Sequence, residues 1–565
     1  MTDDATSQRL RAALAEHFGH RAFRGSQEAA LGAVMAGRDV LLTMPTGAGK
    51  SLVYQLPAVL LEGLTVVVSP LIALMADQVD ALRARGLRAA QVNSSIPAAE
   101  RARRLEAAVR GELDLLFLTP ERFRSPRFLE LLDRLAVARL AVDEAHCISH
   151  WGHDFRPDYH RLGTYRALLG DPPTVALTAT ATPAVADDIV ASLRLDDPLV
   201  IREGIERPNL FLACTRVEHE EEKLPLLCER IAAIDGPGII YSTLIRDLER
   251  LHDELRRRGV GSLVYHGKLS AEERRSMQRR FMEGERELVL ATNAFGMGVD
   301  KADIRFVLHA QVPRTLEAWA QEIGRAGRDG APAWCELLYF SEDVAVQQNF
   351  VSWANPSREY LLGVYETLRG WGERVQARDL DDLRDELLVK NRGDNRVSIC
   401  LKWLEVLGVV EGSFEDHSLR LARELDPGEL PAFVGSEEKR RADLEALLGM
   451  VRYAGEAGEC RRVGLARHFG LAEPAGSCGS CDACAAGADW RGAHFAARPA
   501  SARPQDPPEI EAAFSKGDWV WVDRRHHGQV VRVEGRGRAL RLVVEDAMDL
   551  RRRTIDPNRR RVERL

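Results

Sequence analysis

The sequence predicts an α/β protein with two parallel-sheet lobes, then a helical region with a winged-helix outline, a four-cysteine module and a small C-terminal β-barrel. Between residues 38 and 340, short continuous apolar runs alternate with amphipathic helical stretches. Such alternation is typical of parallel sheets covered by helices on both faces. The composition agrees, because 45% of the 565 residues are hydrophobic and can fill several cores.

Seven apolar runs are predicted to be strands of the two sheets. They are Asp39–Met44, Thr65–Ser69, Leu113–Thr119, Leu140–Val142, Thr174–Thr178, Gly238–Ser242 and Leu288–Thr292. The pattern changes near Ile201–Pro208, which predicts a hinge, and a helix is expected around Lys223–Ile234. We therefore expect a first lobe over residues 1–203 and a second over 204–350.

The alternation stops beyond Trp353. Helices are predicted at Leu361–Gly370, Ala377–Leu388 and Val397–Leu407, followed by a hairpin of Val409–Phe414 and Ser418–Ala422. Three helices and a hairpin are the outline of a winged helix, here over 351–435. A module over 436–490 begins with a helix whose apolar face is Leu444, Leu447, Leu448 and Val451. A Pro/Ala-rich linker over 491–514 and a barrel over 515–565 with a basic tail complete the chain.

Charge, hydropathy and cysteine usage exclude several classes of protein. The net charge of −7 argues against a protein that coats nucleic acid by bulk attraction, but not against a motor. The sequence has no apolar run of the ~18 residues that a membrane span needs, so we expect a soluble cytoplasmic protein. Four of the nine cysteines cluster between residues 460 and 484, as metal ligands do.

A phosphate-binding loop is predicted at Met44–Ser51, between an apolar strand and a helix. The backbone amides of Thr46, Gly47, Ala48 and Gly49 can cradle phosphate oxygens, because glycine lets the backbone approach closely. Lys50 then neutralises phosphate charge and Ser51 binds Mg²⁺. A glycine-rich turn with no ligand is the alternative.

Acidic residues follow the strand Leu140–Val142 in the run Asp143-Glu144-Ala145-His146. An acid at the carboxyl end of a strand can hold Mg²⁺, which we assign to Asp143. The adjacent Glu144 can position or deprotonate the attacking water. An exposed acidic loop is the alternative, and the upstream phosphate loop argues against it.

Two arginines three residues apart, Arg325 and Arg328, follow Gln321 in the predicted second lobe. They share a helix face and can reach the γ-phosphate, where an arginine finger contributes roughly 10³–10⁵ in turnover. We place Gln321, Arg325 and Arg328 among the catalytic candidates. A finger on the second lobe makes hydrolysis depend on lobe closure, which couples chemistry to motion.

Together these motifs resemble the superfamily 2 helicases, and more narrowly the RecQ family. The other matching segments are Ser69–Gln78, Asn93-Ser94, Thr119–Arg122, Leu177–Thr180, Arg207–Asn209 and Ala291–Asp300. The resemblance implies two RecA-like lobes and an ATP-dependent DNA helicase with 3′-to-5′ polarity, acting in DNA repair or recombination. It also implies that Asn93, Thr119, Arg122 and Thr292 lie along the DNA backbone.

The segment Phe18–Glu28 resembles the adenine-recognition segment of that family. The resemblance implies that Gln27 reads the adenine edge and that Arg24 packs against the base. His20 stands where the family usually has tyrosine and could still stack. Asp300 would face the nucleotide.

The run Cys147–Tyr159, directly after the acidic motif, resembles the aromatic-rich loop that couples DNA binding to hydrolysis in RecQ helicases. We expect His150, Trp151, Phe155 and Arg156 to contact DNA. Trp151 and Phe155 can stack on unpaired bases, at about 1–3 kcal/mol per base. An aromatic plug in a core is the alternative.

Cys460, Cys478, Cys481 and Cys484 supply four thiolates. Tetrahedral coordination by four sulfurs favours structural Zn²⁺; an iron–sulfur cluster and free thiols are the alternatives. The spacing resembles the RecQ zinc module, and the preceding helix resembles its bracing helix.

The domain order departs from typical RecQ, because the winged-helix candidate precedes the cysteines. This order is more similar to the RqlH branch, known from actinobacteria. The hairpin could contact duplex DNA or be purely structural, and the barrel resembles Tudor-like modules that could bind DNA or a protein. We expect a monomeric, nucleoid-associated bacterial enzyme using ATP, Mg²⁺ and Zn²⁺ on single strands and 3′-tailed duplexes. An RNA helicase, a duplex translocase and an inactive scaffold are the competing functions.

Overall fold

The computed structural model describes most of the chain. The described residues are 4–152, 154–204, 207–296, 299–389, 391, 393–498, 517–522, 526–534, 541–547, 552–555 and 562–564. The linker predicted over 491–514 lies outside them from residue 499 onward, as does much of the basic tail. Among the described residues, none of the helices has the length and apolarity needed to cross a bilayer.

The first sheet has seven parallel strands in the order β3-β4-β2-β5-β6-β1-β7. The strands are β1 Val40–Thr43, β2 Leu64–Val68, β3 Ala89–Val92, β4 Leu115–Leu118, β5 Val137–Val142, β6 Thr174–Thr178 and β7 Leu199–Arg202. The helices are α1 Asp4–Phe18, α2 Gln27–Met35, α3 Leu52–Leu60, α4 Ile72–Ala84, α5 Ala98–Val109, α6 Pro126–Leu132, α7 Pro157–His160, α8 Leu162–Leu168 and α9 Pro183–Leu193. Separate apolar cores cover its two faces, which is why the strands read as continuous apolar runs.

The second sheet has six parallel strands in the order β10-β11-β9-β12-β13-β8. The strands are β8 Leu210–Arg216, β9 Gly238–Tyr241, β10 Leu263–Tyr265, β11 Leu288–Ala291, β12 Phe306–His309 and β13 Ala333–Tyr339. The helices are α10 Lys223–Ala233, α11 Ile245–Arg257, α12 Ala271–Met282, α13 Leu316–Ile323 and α14 Asp343–Ala354. The predicted pair of parallel-sheet lobes is thus confirmed.

The winged-helix-like region (residues 351–435) contains three helices and a short hairpin. The helices are α15 Arg358–Trp371, α16 Leu380–Glu386 and α17 Arg396–Val406. Strands β14 Val410–Glu411 and β15 Arg420–Leu421 pair through two residues each. The buried face of α17 includes Val397, Cys400 and Leu404, which lie in the core of this region.

The cysteine module packs on the second lobe and shares its core. Helices α18 Glu437–Gly455, α19 Arg461–His468 and α20 Gly487–His494 surround the cysteines. The apolar face predicted for α18 was wrong in orientation. Leu444 is 38% and Leu448 45% exposed, whereas Leu447, Met450 and Tyr453 are buried. Packing against α13 and α14 of the second lobe decided which stripe faces inward, and leucines at helical spacing cannot show that.

The C-terminal segment forms an antiparallel sheet in the order β19-β18-β17-β16-β20. Its strands are β16 Trp519–Val522, β17 His526–Glu534, β18 Arg541–Asp546, β19 Arg552–Ile555 and β20 Val562–Arg564. The last strand pairs with the first, and Val520, Val530 and Leu542 lie in a small apolar core.

Candidate functional site

The phosphate loop lies between β1 and α3 at the carboxyl edge of the first sheet. Gly47 and Gly49 have φ of +83° and +82°, a left-handed conformation that residues with a Cβ rarely adopt. Lys50 is half-buried, and its Nζ donates a hydrogen bond of 3.0 Å to the Met44 carbonyl. Burial lowers the pKa of Lys50, although the Glu144 and Asp143 carboxylates oppose that shift. The loop therefore has the backbone and the cation that a polyphosphate needs.

The acidic motif follows β5, which lies beside β6 and β2 in the middle of the first sheet. Burial and the neighbouring Glu144 carboxylate raise the pKa of Asp143 to about 7. Glu144 has φ of +50°, a strained conformation that functional sites often hold. Its buried Oε2 accepts no hydrogen bond from the described residues, while Nδ1 of His146 lies 3.3 Å away. Two buried carboxylates here fit a metal ion and a water.

No role for His146 is predicted from the sequence, but the structure links this residue to the next strand, β6. Nδ1 of His146 lies 2.9 Å from Oγ1 of Thr178, which donates to the Thr180 carbonyl. Tyr159, the last residue of the aromatic-rich loop (residues 147–159), donates from its hydroxyl to the Asp143 carbonyl at 3.1 Å. The acidic motif is thus tied to two neighbouring segments of the lobe.

Arg328 of the second lobe meets the phosphate loop of the first. The helix face predicted to be shared by Arg325 and Arg328 was wrong, because α13 ends at Ile323 and both arginines lie in the turns that follow it. A Cβ placed on Gly47 would lie 3.2 Å from Cγ and Cδ of Arg328. Arg328 donates to Oδ1 of Asp300 at 2.6 Å, and its Nε is buried without a described partner. Arg325 is 3% exposed, and Gln321 is half-buried on α13. The structure therefore brings the predicted finger residue to the phosphates' expected position.

A cavity of about 580 Å³ lies beside this junction. Its lining includes His20, Arg24, Gln27, Ser51 and Asp300, which are five of the predicted nucleotide-binding residues. Gln27 donates through Nε2 to the carbonyls of Ala48 and Gly49, each at 3.0 Å. The adenine segment and the phosphate loop are thus in direct contact.

Glu203 is a residue of this area that the sequence did not single out. Its carboxylate accepts from the Ser26 amide and lies where a Cβ on Gly25 would fall. Gly25 has φ of +47°, so the loop before α2 needs glycine at this point. A lone glutamate in the predicted hinge carries no signal that it caps a loop 177 residues away.

Only part of the DNA-binding surface predicted for the aromatic-rich loop is exposed to solvent. Trp151 is 36% exposed and its ring lies 4.3 Å from that of His150. Phe155 is half-buried against Trp403 and Phe433 of the winged-helix-like region. Arg156 is ion-paired with Asp154 at 3.1 Å. Contact with DNA therefore stays a prediction for all four residues, and Trp151 is the best placed.

The four residues predicted along the DNA backbone are mostly covered. Asn93 is fully buried, and its side chain bonds to Gln91 and to Ser95 at 2.7–3.0 Å. Thr119 and Thr292 are also buried. Arg122 is half-buried, and burial lowers its pKa. Their DNA contacts stay predictions.

The four thiolates converge. Sγ of Cys460, Cys478, Cys481 and Cys484 all lie within 4.8 Å of one another, and Sγ of Cys481 is 3.9 Å from Sγ of Cys460. A Zn–S bond of about 2.3 Å in a tetrahedron requires sulfurs about 3.8 Å apart, so the donor set fits zinc. The cluster sits against β8, where the Leu212 amide donates to the Ser480 carbonyl at 3.1 Å.

Three family models match in the order of these elements. A DEAD/DEAH box helicase model matches residues 24–189, a helicase conserved C-terminal domain model 222–330, and a RecQ zinc-binding model 421–485. The probable ATP-dependent DNA helicase RecS of Bacillus subtilis is 38% identical over 395 residues, covering 70% of this chain and 78% of the relative. The chain belongs to the RecQ family of ATP-dependent DNA helicases.

Two further comparisons agree. The ATP-dependent DNA helicase RecQ of Bacillus subtilis is 42% identical over 342 residues, which cover 60% of this chain but only 58% of the relative. A crystal structure of the DUF1998 helicase MrfA bound to DNA and AMPPNP superposes with a TM-score of 0.50 at 18% identity. That match covers 76% of this chain and 64% of the other, and it supports the two-lobed fold.

Proposed function

We propose that this RecQ-family protein couples Mg²⁺-ATP hydrolysis to 3′-to-5′ movement along single-stranded DNA and unwinds duplex DNA in repair or recombination. The observation that carries the proposal is the contact of Arg328 of the second lobe with the phosphate loop at Gly47. A site completed by two lobes hydrolyses ATP only when they are closed. Each turnover then includes an opening and a closing that can move a strand.

We assign the residues of the first lobe as follows. Lys50 would neutralise the β- and γ-phosphates, and Ser51 with Asp143 would hold Mg²⁺. Glu144 would take a proton from the attacking water, because its buried Oε2 has no described hydrogen-bond donor. The remaining nucleotide contacts are assigned to His20, Arg24, Gln27, Thr46, Gly47, Ala48, Gly49 and Asp300.

The second lobe would supply Gln321, Arg325 and Arg328 at the transferring phosphate. Asn93, Thr119, Arg122, Thr292 and the aromatic-rich loop would bind DNA. The zinc of the cysteine module is assigned a structural role, since four thiolates leave no open coordination position. The domain boundaries at residues 203, 350, 435, 490 and 514 and the RqlH branch also stay proposals.

The hairpin of the winged-helix-like region is not the strand separator in this proposal. Its tip exposes Glu415 and Asp416, and hydrogen bonds from Ser413 and Ser418 lower the pKa of Asp416. An ionised acidic tip repels phosphates. This leaves duplex translocation without strand separation as the second candidate function.

One strand-separation assay distinguishes the candidate functions. Purified protein is mixed with ATP and labelled duplexes of DNA or RNA that carry a 3′ tail, a 5′ tail or no tail, with Lys50→Ala as control. We expect separation of the 3′-tailed DNA duplex alone, and none with the variant. Separation that survives Lys50→Ala would remove the motor hypothesis, and preference for RNA or for 5′ tails would overturn the substrate or the polarity.

We also propose the partners, the working form and the location of this enzyme. We assign single-stranded and 3′-tailed DNA as its partners, a monomer as its working form and the bacterial nucleoid as its location. The C-terminal sheet exposes Trp519, which is 46% exposed, and a DNA or protein partner is assigned to this sheet.

A further inference from the structure

The aromatic-rich loop is held from outside its own lobe. The ring of Phe433, in the winged-helix-like region, stacks on that of His150 at 4.4 Å and 11°. It also meets Phe155 edge-on at 5.5 Å, and Phe155 lies 6.0 Å from Trp403 at 27°. Two of the three aromatic rings predicted to meet DNA are therefore occupied by rings of another region.

Polar contacts surround this aromatic cluster. Arg124 bridges Asp158 of the first lobe and Glu405 of α17, with Nη1 2.5 Å from Oε1 of Glu405. Nη1 of Arg161 donates to the Val406 carbonyl at 2.7 Å. The contact thus has an apolar centre and a polar rim, which is the organisation of a specific interface.

The same loop leads back to the acidic motif. The Arg156 amide donates to the Cys147 carbonyl at 2.9 Å, and the Cys147 amide donates to the Glu144 carbonyl at 2.9 Å. The hydroxyl of Tyr159 donates to the Asp143 carbonyl. The anchored loop is therefore joined by direct hydrogen bonds to the backbone of both predicted catalytic acids, Asp143 and Glu144.

We propose that Trp403 and Phe433 are positioning residues that anchor the aromatic-rich loop through His150 and Phe155. This anchor leaves Trp151 free for a base. It also makes DNA-stimulated hydrolysis depend on the winged-helix-like region. This inference rests on the proposed function and adds a regulatory element to the same site. Neither residue contacts Lys50 or Arg328, so hydrolysis without DNA does not need the anchor.

The first test compares basal and DNA-stimulated ATP hydrolysis in full-length Phe433→Ala. We expect the stimulated turnover to fall about tenfold, a barrier about 1.4 kcal/mol higher, with the basal rate within about twofold of the wild type. Phe433→Tyr keeps the ring and should restore stimulation. Phe414→Ala is the matched control, because Phe414 is an aromatic residue on the hairpin that packs against the core of the winged-helix-like region.

A second variant avoids removing a packed ring. Glu405 is 44% exposed at the rim, so Glu405→Lys places a cation opposite Arg124 without opening a cavity. We expect it to lower stimulation in the same direction, and more at low salt than at high salt because the repulsion is screened.

The outcomes separate this inference from the proposed function. A wild-type protein without DNA stimulation overturns the proposed function itself. A stimulated wild type with equal losses of basal and stimulated rates in Phe433→Ala, or with neither rate changed, overturns the anchor alone. Failure of Phe433→Tyr to restore stimulation overturns the role of the ring.

Discussion

At the scale of single residues, Arg328 shows how burial prepares a cation for phosphate. Its side chain is 8% exposed, and burial together with nearby Arg325 lowers its pKa. Among the described residues it meets one carboxylate, that of Asp300, which is itself 80% exposed, and it also donates to the Val299 carbonyl. A buried cation whose carboxylate partner stays in water is stabilised when an anion such as a phosphate enters the site.

Arg328→Ala should lower kcat for ATP hydrolysis by about 10³–10⁵, the range for loss of an arginine finger. Nucleotide binding should change far less, since the phosphate loop and the adenine segment remain. Steady-state kinetics and nucleotide titration give the two numbers. Arg250→Ala, an exposed arginine of the same lobe, is the control, and an equal loss in both variants would contradict the assignment.

The raised pKa of Asp143 predicts that the stability of the nucleotide-free protein depends on pH. Burial and Glu144 raise its folded pKa from 3.8 to about 7, so the folded state holds this proton more tightly than the unfolded state. The resulting stabilisation is full below about pH 4 and is lost as pH rises through 7.

Asp143→Asn removes the titrating carboxyl group and should flatten the dependence of Tm on pH. We expect the Tm of the variant minus that of the wild type to rise between pH 4 and 7 and to level off above 7. Thermal melts across pH 4–8 in matched ionic strength measure it. A difference independent of pH would show that Asp143 titrates near its ordinary value.

At the scale of elements, the cysteine module acts as an extension of the second sheet. The Asp482 amide donates to the Leu212 carbonyl at 3.0 Å, and Arg461 pairs with Asp482 at 2.8 Å. Leu465 of α19 and Phe469, which directly follows that helix, lie in the same core as β8. A metal that holds the module therefore stabilises the lobe as well.

Cys481→Ala should release the metal and lower the Tm of the whole protein. Elemental analysis should find about one zinc per wild-type chain, as one set of four thiolates requires, and none in the variant. Cys228→Ala, a half-buried cysteine outside the cluster, should keep both metal and Tm. Iron in the wild type, or a folded wild type free of metal, would refute the zinc assignment.

At the scale of the whole molecule, the lobes also meet away from the nucleotide. Nε2 of His468 lies 2.8 Å from Oε1 of Glu317, which joins α19 to α13 within the second half of the molecule. Arg202 at the end of the first sheet donates to the Phe469 carbonyl. The cysteine module thus contacts both lobes.

The distance between two spectroscopic labels measures lobe motion. The labels are attached to unnatural residues at Leu168 and Met282, which lie on different lobes and are 51% and 36% exposed. We expect the distance between them to change between the nucleotide-free protein and the protein with a non-hydrolysable ATP analogue and DNA. Labels at Leu168 and Val200, both on the first lobe, should show no change. A constant distance across all nucleotide states would end the motor model.

Local signals were sufficient for much of this architecture. Strand β1, Gly47 and Lys50 follow one another at spacings that neighbouring residues fix, because a phosphate loop is a strand, a turn and a helix start. The acidic motif is local in the same way, since it directly follows the apolar run of β5. The cysteine cluster was predictable for the same reason, since three of its four members lie within residues 478–484. The inward face of α18 was not, because its neighbour is α14, far along the chain.

The sequence by itself determined which chemical groups this helicase carries and in what order. Only the tertiary structure decided which of them meet: Arg328 with Gly47, Glu203 with Ser26, and Phe433 with His150. The physical reason is that local propensity and spacing act over a few residues. Contacts between distant segments depend on how whole sheets and helices pack, and no single motif encodes that packing.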